Sequence, residues 1–267
     1  MKRIYVLFVR HGFSTANLTK NVSRFGCIWH TGCPRLTQSI KNKFCRDTGL
    51  TSIGKEQSKS AGRRASKTLS MKKNMVLYTD EVFTSGLSRT VESAASFIDG
   101  FNDHRMVPIQ KRITPIPYIS EKRTGGCLIN DLDNEVRPIE MVQETVSDEF
   151  NVLPLTPIGR KLKGWGKPSN KKFTKGILPI IAKRANERGA NTIIVISHKK
   201  TIRSLLGVTL RNGEMVLQEF NVDDGTKVST PHVIQGYGDD REILHTVEDA
   251  RLQPIIGKRR SIVFSSY

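Results

Sequence analysis

Ile4-Tyr5-Val6-Leu7-Phe8-Val9 runs without a charged residue straight into Arg10-His11-Gly12. An unbroken run of β-branched, aliphatic and aromatic residues predicts a strand buried on both faces of a parallel sheet; a strand with one wet face would alternate. A second such run, Thr192-Ile193-Ile194-Val195-Ile196-Ser197, opens directly onto His198. Two buried strands each deliver a histidine at the carboxyl end. In open α/β sheets that edge is where ligands bind.

Outward from these two strands the chain alternates. Glu81-Val82-Phe83-Thr84 reads as a third strand, and Leu87 to Ile98 follows at helical spacing with Leu87, Val91, Ala94, Ala95 and Ile98 on one face. Residues 54–69 read as a helix with a basic outer face. Residues 171–188 read as another, weakened by Gly176 and Pro179, and 201–206 as a helix starting just after His198. Strand and helix in alternation predict a three-layer α/β/α fold with a mostly parallel central sheet, in a single domain over 1–267. Residues 18–46 and 126–170 fit this alternation poorly and read as insertions over or beside the carboxyl edge. The tail, 221–267, mixes short strand-like pieces with turns.

The 267 residues carry a formal net charge of +18. Such a surplus predicts attraction to anions, whether phosphorylated small molecules, nucleic acid or an acidic membrane face, without choosing among them. The apolar run at residues 4–9 is too short for a signal segment, and no stretch approaches the roughly 20 apolar residues that span a bilayer. The expectation is a soluble, cytoplasmic protein with no membrane span. Four cysteines in a chain of this length read as reduced thiols.

Phosphoryl transfer to a side chain needs an uncharged nucleophile, cations around the non-bridging oxygens and an acid for the leaving oxygen. A neutral histidine is such a nucleophile, and arginine presents a planar fork that fits phosphate. Arg10 and His11 bring both to one strand end, where Gly12 lets the backbone turn and approach a ligand. Three residues alone have little specificity; the wider pattern has more.

Arg10-His11-Gly12-Phe13-Ser14-Thr15-Ala16-Asn17 resembles the signature of the histidine phosphatase superfamily, which includes the cofactor-dependent phosphoglycerate mutases. Leu50-Thr51-Ser52-Ile53-Gly54-Lys55-Glu56-Gln57-Ser58 is similar to that family's Leu-Thr-x-x-Gly-x-x-Gln-Ala segment. Thr84-Ser85-Gly86-Leu87-Ser88-Arg89-Thr90-Val91-Glu92-Ser93-Ala94 is similar to its Ser-x-Leu-x-Arg-x-x-x-Thr-Ala segment, Ile119 to Gly125 to the one with an acidic residue four before a glycine, and Val195-Ile196-Ser197-His198 to the closing Val-x-Ser-His. The matches keep the family's order from residue 10 to residue 198. The resemblance implies a phosphohydrolase with His11 as nucleophile. Arg10, Arg89 and His198 would bracket the phosphoryl oxygens, Glu121 would serve as general acid and base, and Gly12, Ser14 and Asn17 would contribute to substrate binding. It implies no metal and no cofactor, since the arginines and His198 supply the positive charge.

Departures narrow this expectation. Phe13 stands where the family commonly has a polar residue, and Lys199-Lys200 where it has small ones. Thr124 stands where the mutases carry a tyrosine, which favours a phosphatase over the alternative of a mutase-like phosphoryl transferase. Two lysines beside the pocket either suit a strongly anionic substrate or project into solvent. Glu135, Glu140 and Glu144 compete with Glu121 for the acid's role, because the motif around Glu121 is degenerate. An inactive phospho-ligand or polyanion-binding protein on the same fold is the rival from another class.

Other signals stay with their bland reading. Cys27, His30, Cys33 and Cys45 offer zinc-compatible atoms at a spacing that fits no standard site. Basic runs such as Arg63-Arg64, Lys171-Lys172 and Lys258-Arg259-Arg260 read as solvated faces. Aromatics are 7% of the chain and do not interleave with these runs, so a base-stacking platform has no support and only nonspecific polyanion binding remains. A basic triplet is too short to read as a nuclear address.

Overall fold

In the computed structural model, which describes residues 3–15, 17, 47–103, 107–121, 139–155 and 168–234, the apolar run becomes β1 (Arg3–Arg10). It lies between β5 (Thr192–Ser197) and β6 (Met215–Asn221). Beyond β5 follow β2 (Val82–Thr84), β3 (Arg112–Pro115) and β4 (Asn151–Val152), all parallel to β1. Beyond β6, which is antiparallel, β7 (His232–Ile234) closes the other edge. Among the described residues the sheet is seven-stranded and mostly parallel, in the order β4-β3-β2-β5-β1-β6-β7.

Alternate side chains of the unbroken apolar strands explain the layers. Ile4, Val6 and Phe8 of β1 and Ile193 and Val195 of β5 enter one core, while Leu7, Val9, Ile194 and Ile196 enter the other. The second core is completed by α1 (Ser52–Ser70) and α2 (Ser88–Asn102), through Ala61, Ala65, Leu69, Val91, Phe97 and Phe101. The face expected from the spacing of Leu87, Val91, Ala94, Ala95 and Ile98 is the buried one. The first core is covered by helices from the second half of the chain, so the three-layer α/β/α expectation holds.

That covering segment departs from a regular helix where Gly176 and Pro179 fall. A short α-helical turn, α4 (Asn170–Lys172), passes into a π-helical turn over Phe173–Ile177 and then into α5 (Leu178–Glu187). The Leu178 N–H donates to Phe173 O, the wider spacing of a π turn. Pro179 sits in the first turn of α5, where a missing N–H costs little. α6 (Lys199–Leu206) begins two residues earlier than its spacing predicts.

The stretch read as an insertion over 126–170 is not all accessory. Its residues 139–155 form α3 (Ile139–Gln143) and the edge strand β4, and Val142, Phe150, Val152 and Leu155 are buried. The insertion expected at 18–46, the remainder of 126–170 and the tail beyond 234 lie outside the described residues. The described elements all fall within one compact unit, Met1–Ile234.

Candidate active site

The register of β1 on β5 pairs Arg10 with Ser197. His11 and His198 therefore leave the sheet side by side, and their rings meet edge to face with centroids 5.1 Å apart. β2, on the far side of β5, ends level with them, because the Ser85 N–H donates to Ile196 O. Three neighbouring parallel strands thus deliver their following residues to one point on the carboxyl edge.

His11 is only 4% exposed. Its Nδ1 lies 2.7 Å from the carbonyl oxygen of Gly12. A carbonyl oxygen only accepts, so Nδ1 carries a proton, and in the neutral form of the ring the lone pair is at Nε2. The turn that makes this contact is fastened on several sides. Gly12 N–H donates to Ser93 Oγ at 3.0 Å, Phe13 N–H to Gln57 Oε1 at 3.0 Å, and Asn212 Nδ2 to His11 O at 2.9 Å. Thr51 Oγ1 donates to Phe13 O at 2.9 Å while accepting from Gly54 N–H as the cap of α1.

Backbone here meets backbone. A Cβ on Gly12 would stand 2.0 Å from Gly54 O, and a Cβ on Gly54 would stand 2.1 Å from Phe13 O. Thr51, Gly54 and Gln57, which the sequence offered only as a family resemblance, all hold the His11 turn. Ser93 also lies in a segment offered as a resemblance, with no role attached, and Asn212 was not singled out from sequence. Each acts on a backbone group, and such contacts leave no pattern in residue type.

Arg89 is the second residue of α2 and is 1% exposed. The helix start is fixed from outside by Asp47, whose carboxylate accepts from Ser88 N–H at 2.9 Å and from the Ser88 hydroxyl at 2.7 Å. Nη2 of Arg89 donates to Glu121 Oε2 at 3.4 Å. Glu121 lies in the segment after β3, where Ser197 Oγ donates to Ile119 O at 2.7 Å and Thr201 Oγ1 donates to Ser120 O at 2.9 Å. Its side chain is 17% exposed. Of its competitors, Glu140 and Glu144 are exposed on the surface, and Glu135 lies outside the described residues.

Arg10 donates from Nη1 to Leu210 O at 2.9 Å, and its Nε is buried with no hydrogen-bond partner among the described residues. Burial lowers its pKa to about 10, against the opposing pull of Glu121 and Glu214. It is therefore a cation at neutral pH. His198 is wholly buried; its Nε2 lies 2.7 Å from Ser85 Oγ and its Nδ1 has no hydrogen-bond partner among the described residues. Burial, followed by the charges of Arg89, His11 and Arg10, holds its pKa well below the usual histidine range. Two unpartnered buried polar atoms, each costing about 1–3 kcal/mol, thus belong to residues of one charged cluster.

Ser14 and Asn17 bond to each other. Asn17 Oδ1 accepts from the Ser14 N–H at 3.1 Å and from the Ser14 hydroxyl at 3.0 Å. The Ser14 proton is thereby directed at Asn17, making Ser14 an orienter of Asn17. Phe13 is buried, and Lys199 and Lys200 are exposed. Thr124 and the cysteines and histidine weighed for zinc lie outside the described residues. Among the described residues no group of three or more His, Cys, Asp or Glu side chains gathers to hold a metal ion, and no helix is long and apolar enough to cross a membrane.

No protein-family model matches the chain, and no curated protein matches it. Solved structures do. It is similar to the ecdysone phosphate phosphatase of Bombix mori in complex with tungstate, at 18% identity and a TM-score of 0.46, over 88% of this chain and 96% of that one. It is similar to a phosphoserine phosphatase mutant of Entamoeba histolytica in complex with phosphoserine, at 18% identity and a TM-score of 0.37, over 88% and 96%. It is also similar to a phytase of Klebsiella, at 12% identity and a TM-score of 0.39, over 91% and 84%. These are likenesses at low identity; the fold class itself stands on the sheet order and the layering.

Proposed function

We propose that this chain is a phosphomonoester phosphatase that works through a phosphohistidine on His11. The observation that carries the reading is the contact between His11 Nδ1 and Gly12 O, which leaves Nε2 with the lone pair, beside Arg10, Arg89 and His198. Nε2 attacks phosphorus as the bond to the leaving oxygen breaks. Arg10, Arg89 and His198 bracket the non-bridging oxygens, with Gly12 allowing close approach and Asn17, oriented by Ser14, supplying its amide. Glu121 gives a proton to the leaving oxygen. It then takes one from water, whose oxygen attacks phosphorus as the P–N bond breaks, which releases phosphate and restores His11.

The net charge of +18 favours a strongly anionic substrate, small molecule or phosphoprotein. The test is phosphate release from sugar phosphates, nucleotides, phosphoproteins and inositol polyphosphates, with His11→Ala run beside the wild type. Release that depends on His11 supports the reading. Isomerised product without net phosphate would favour a mutase-like transferase. Phospho-ligand binding with no turnover, unchanged by His11→Ala, would favour a binding protein.

A further inference from the structure

Behind His198, on the side away from His11, stand two hydroxyl groups that the proposed reaction leaves without a role. Ser85 Oγ lies 2.7 Å from His198 Nε2 and 2.8 Å from Thr90 Oγ1. Thr90 Oγ1 in turn lies 2.7 Å from Leu87 O and 2.9 Å from Ser85 O. All three side chains are buried.

The direction of this chain follows from counting protons. Two carbonyl oxygens, which only accept, face the Thr90 hydroxyl, and it has one proton. That proton goes to the carbonyls, nearest to Leu87 O; were it turned to Ser85, oxygen lone pairs would face each other unscreened in a buried site. Thr90 Oγ1 is then the acceptor for the Ser85 hydroxyl. Ser85 Oγ, its proton so directed, accepts from His198 Nε2. The ring is thus protonated at Nε2, and Nδ1, which has no hydrogen-bond partner among the described residues, presents a lone pair. The groups that face the ring are cationic or neutral: Arg10 and His11 from the end of β1, and Arg89 from α2. Lys199 and Lys200, next on its own element, are exposed. Among the described residues no carboxylate is one of the groups acting on it, so none of them holds a second proton on the ring.

We infer that Ser85 and Thr90 are positioning residues that hold His198 as its Nε2–H tautomer, so that the pocket takes up one proton together with each phosphoryl group it binds. A lone pair cannot face a phosphoryl oxygen without a hydrogen between them. Either the group arrives as the monoanion with its O–H turned to Nδ1, or the dianion draws a proton onto Nδ1. Both complexes hold one proton more than the free protein plus dianion. His11 and His198 are then opposite tautomers, His11 fixed by a carbonyl at Nδ1 and His198 by a hydroxyl at Nε2. This rests on the phosphatase reading for the ligand, but not for the tautomer.

Two measurements test it. Long-range proton–nitrogen NMR of the ligand-free protein reads which nitrogen of His198 is protonated. Calorimetric titration with inorganic phosphate at about pH 9, where the free ligand is the dianion, in buffers of differing ionisation heat, counts protons taken up. Expected are Nε2–H and about one proton per phosphate. In Thr90→Val the Ser85 proton loses its acceptor and turns to His198 Nε2. The ring should switch to Nδ1–H and the uptake should vanish, with the fold intact by its amide spectrum. Ser85→Ala, which removes the link without reversing it, should give a mixed tautomer signal. An Nδ1–H signature in the wild type, phosphate binding without proton uptake, or no change in either variant overturns the inference. If the wild type binds no phosphate, the phosphatase reading and the proton-linked half fall together, and the spectrum alone decides the relay.

Discussion

Nη2 of Arg89 lies 3.4 Å from Oε2 of Glu121 and ties the helix that follows β2 to the loop that follows β3. In the proposed reaction, that loop carries the acid and that helix a phosphate-binding cation. This contact is why the proposal favours Glu121 among the several carboxylates the sequence offered. Glu121→Gln keeps the shape and removes the proton. General acid catalysis contributes about 10²–10⁴-fold, so kcat on an alkyl phosphate should fall by that order. An aryl phosphate, whose leaving group needs little protonation, should lose far less. Steady-state kinetics on the two substrate types checks this, and equal losses on both would remove Glu121 from the acid's role.

Arg89→Lys keeps a charge and loses the planar fork. A lost donor to a developing oxyanion costs about 10²–10³-fold, and a lysine point charge does not restore a two-pronged geometry. kcat/KM should fall by about that factor. Unchanged kinetics would mean that Arg89 serves only its partner Glu121.

Gly54→Ala should destabilise the fold by about 1–3 kcal/mol, because its Cβ would stand 2.1 Å from the carbonyl oxygen of Phe13 and backbone must move. Activity should fall with it, since that carbonyl belongs to the His11 turn. Gly176→Ala is the control: nothing lies within 4 Å of its Cβ position, and a gain of about 0.4–1 kcal/mol is expected from the unfolded chain's lost freedom. Urea midpoints of the two variants measure both.

Stability should also depend on pH through His198. Burial first, then Arg89, His11 and Arg10, depress its pKa in the folded state, while the unfolded chain titrates near the ordinary value of about 6.5. Below that value the unfolded state binds more protons than the folded one, so stability rises with pH. It is complete above about 6.5 and is lost as pH falls beneath it. Urea midpoints across pH should show this slope in the wild type, and His198→Asn should flatten it. A slope unchanged in that variant would assign the dependence elsewhere.

The sheet was legible where burial is two-sided. β1 and β5 have no polar interruption because helices cover both faces, and residues 4–9 and 192–197 mark them almost to the residue. β6 escaped notice because Gln218, Glu219 and Asn221 break its apolar pattern although all are buried. The structure supplies their partners, Arg3 for Glu219 and two carbonyls for Gln218. β3 ends at Pro115 and β4 has two residues, too few to form a pattern. The site divides in the same way. Charged residues directly after strands could be read as chemistry. Ser85, Thr90, Ser93, Asn212 and Asp47 could not be given roles, since small polar residues that bond to backbone or to one another look like any loop until the chain is folded.

The central claim is that phosphorus passes through Nε2 of His11. Rapid quenching of wild-type protein with a phosphorus-labelled substrate, followed by proton–phosphorus NMR of the denatured chain, tests it most directly. A phosphoramidate on His11, stable to base, labile to acid and absent from His11→Gln along with about 10⁴-fold or more of the turnover, is the predicted result. Phosphate release that persists in His11→Gln, or turnover in the wild type with label on another residue or on none, would contradict it.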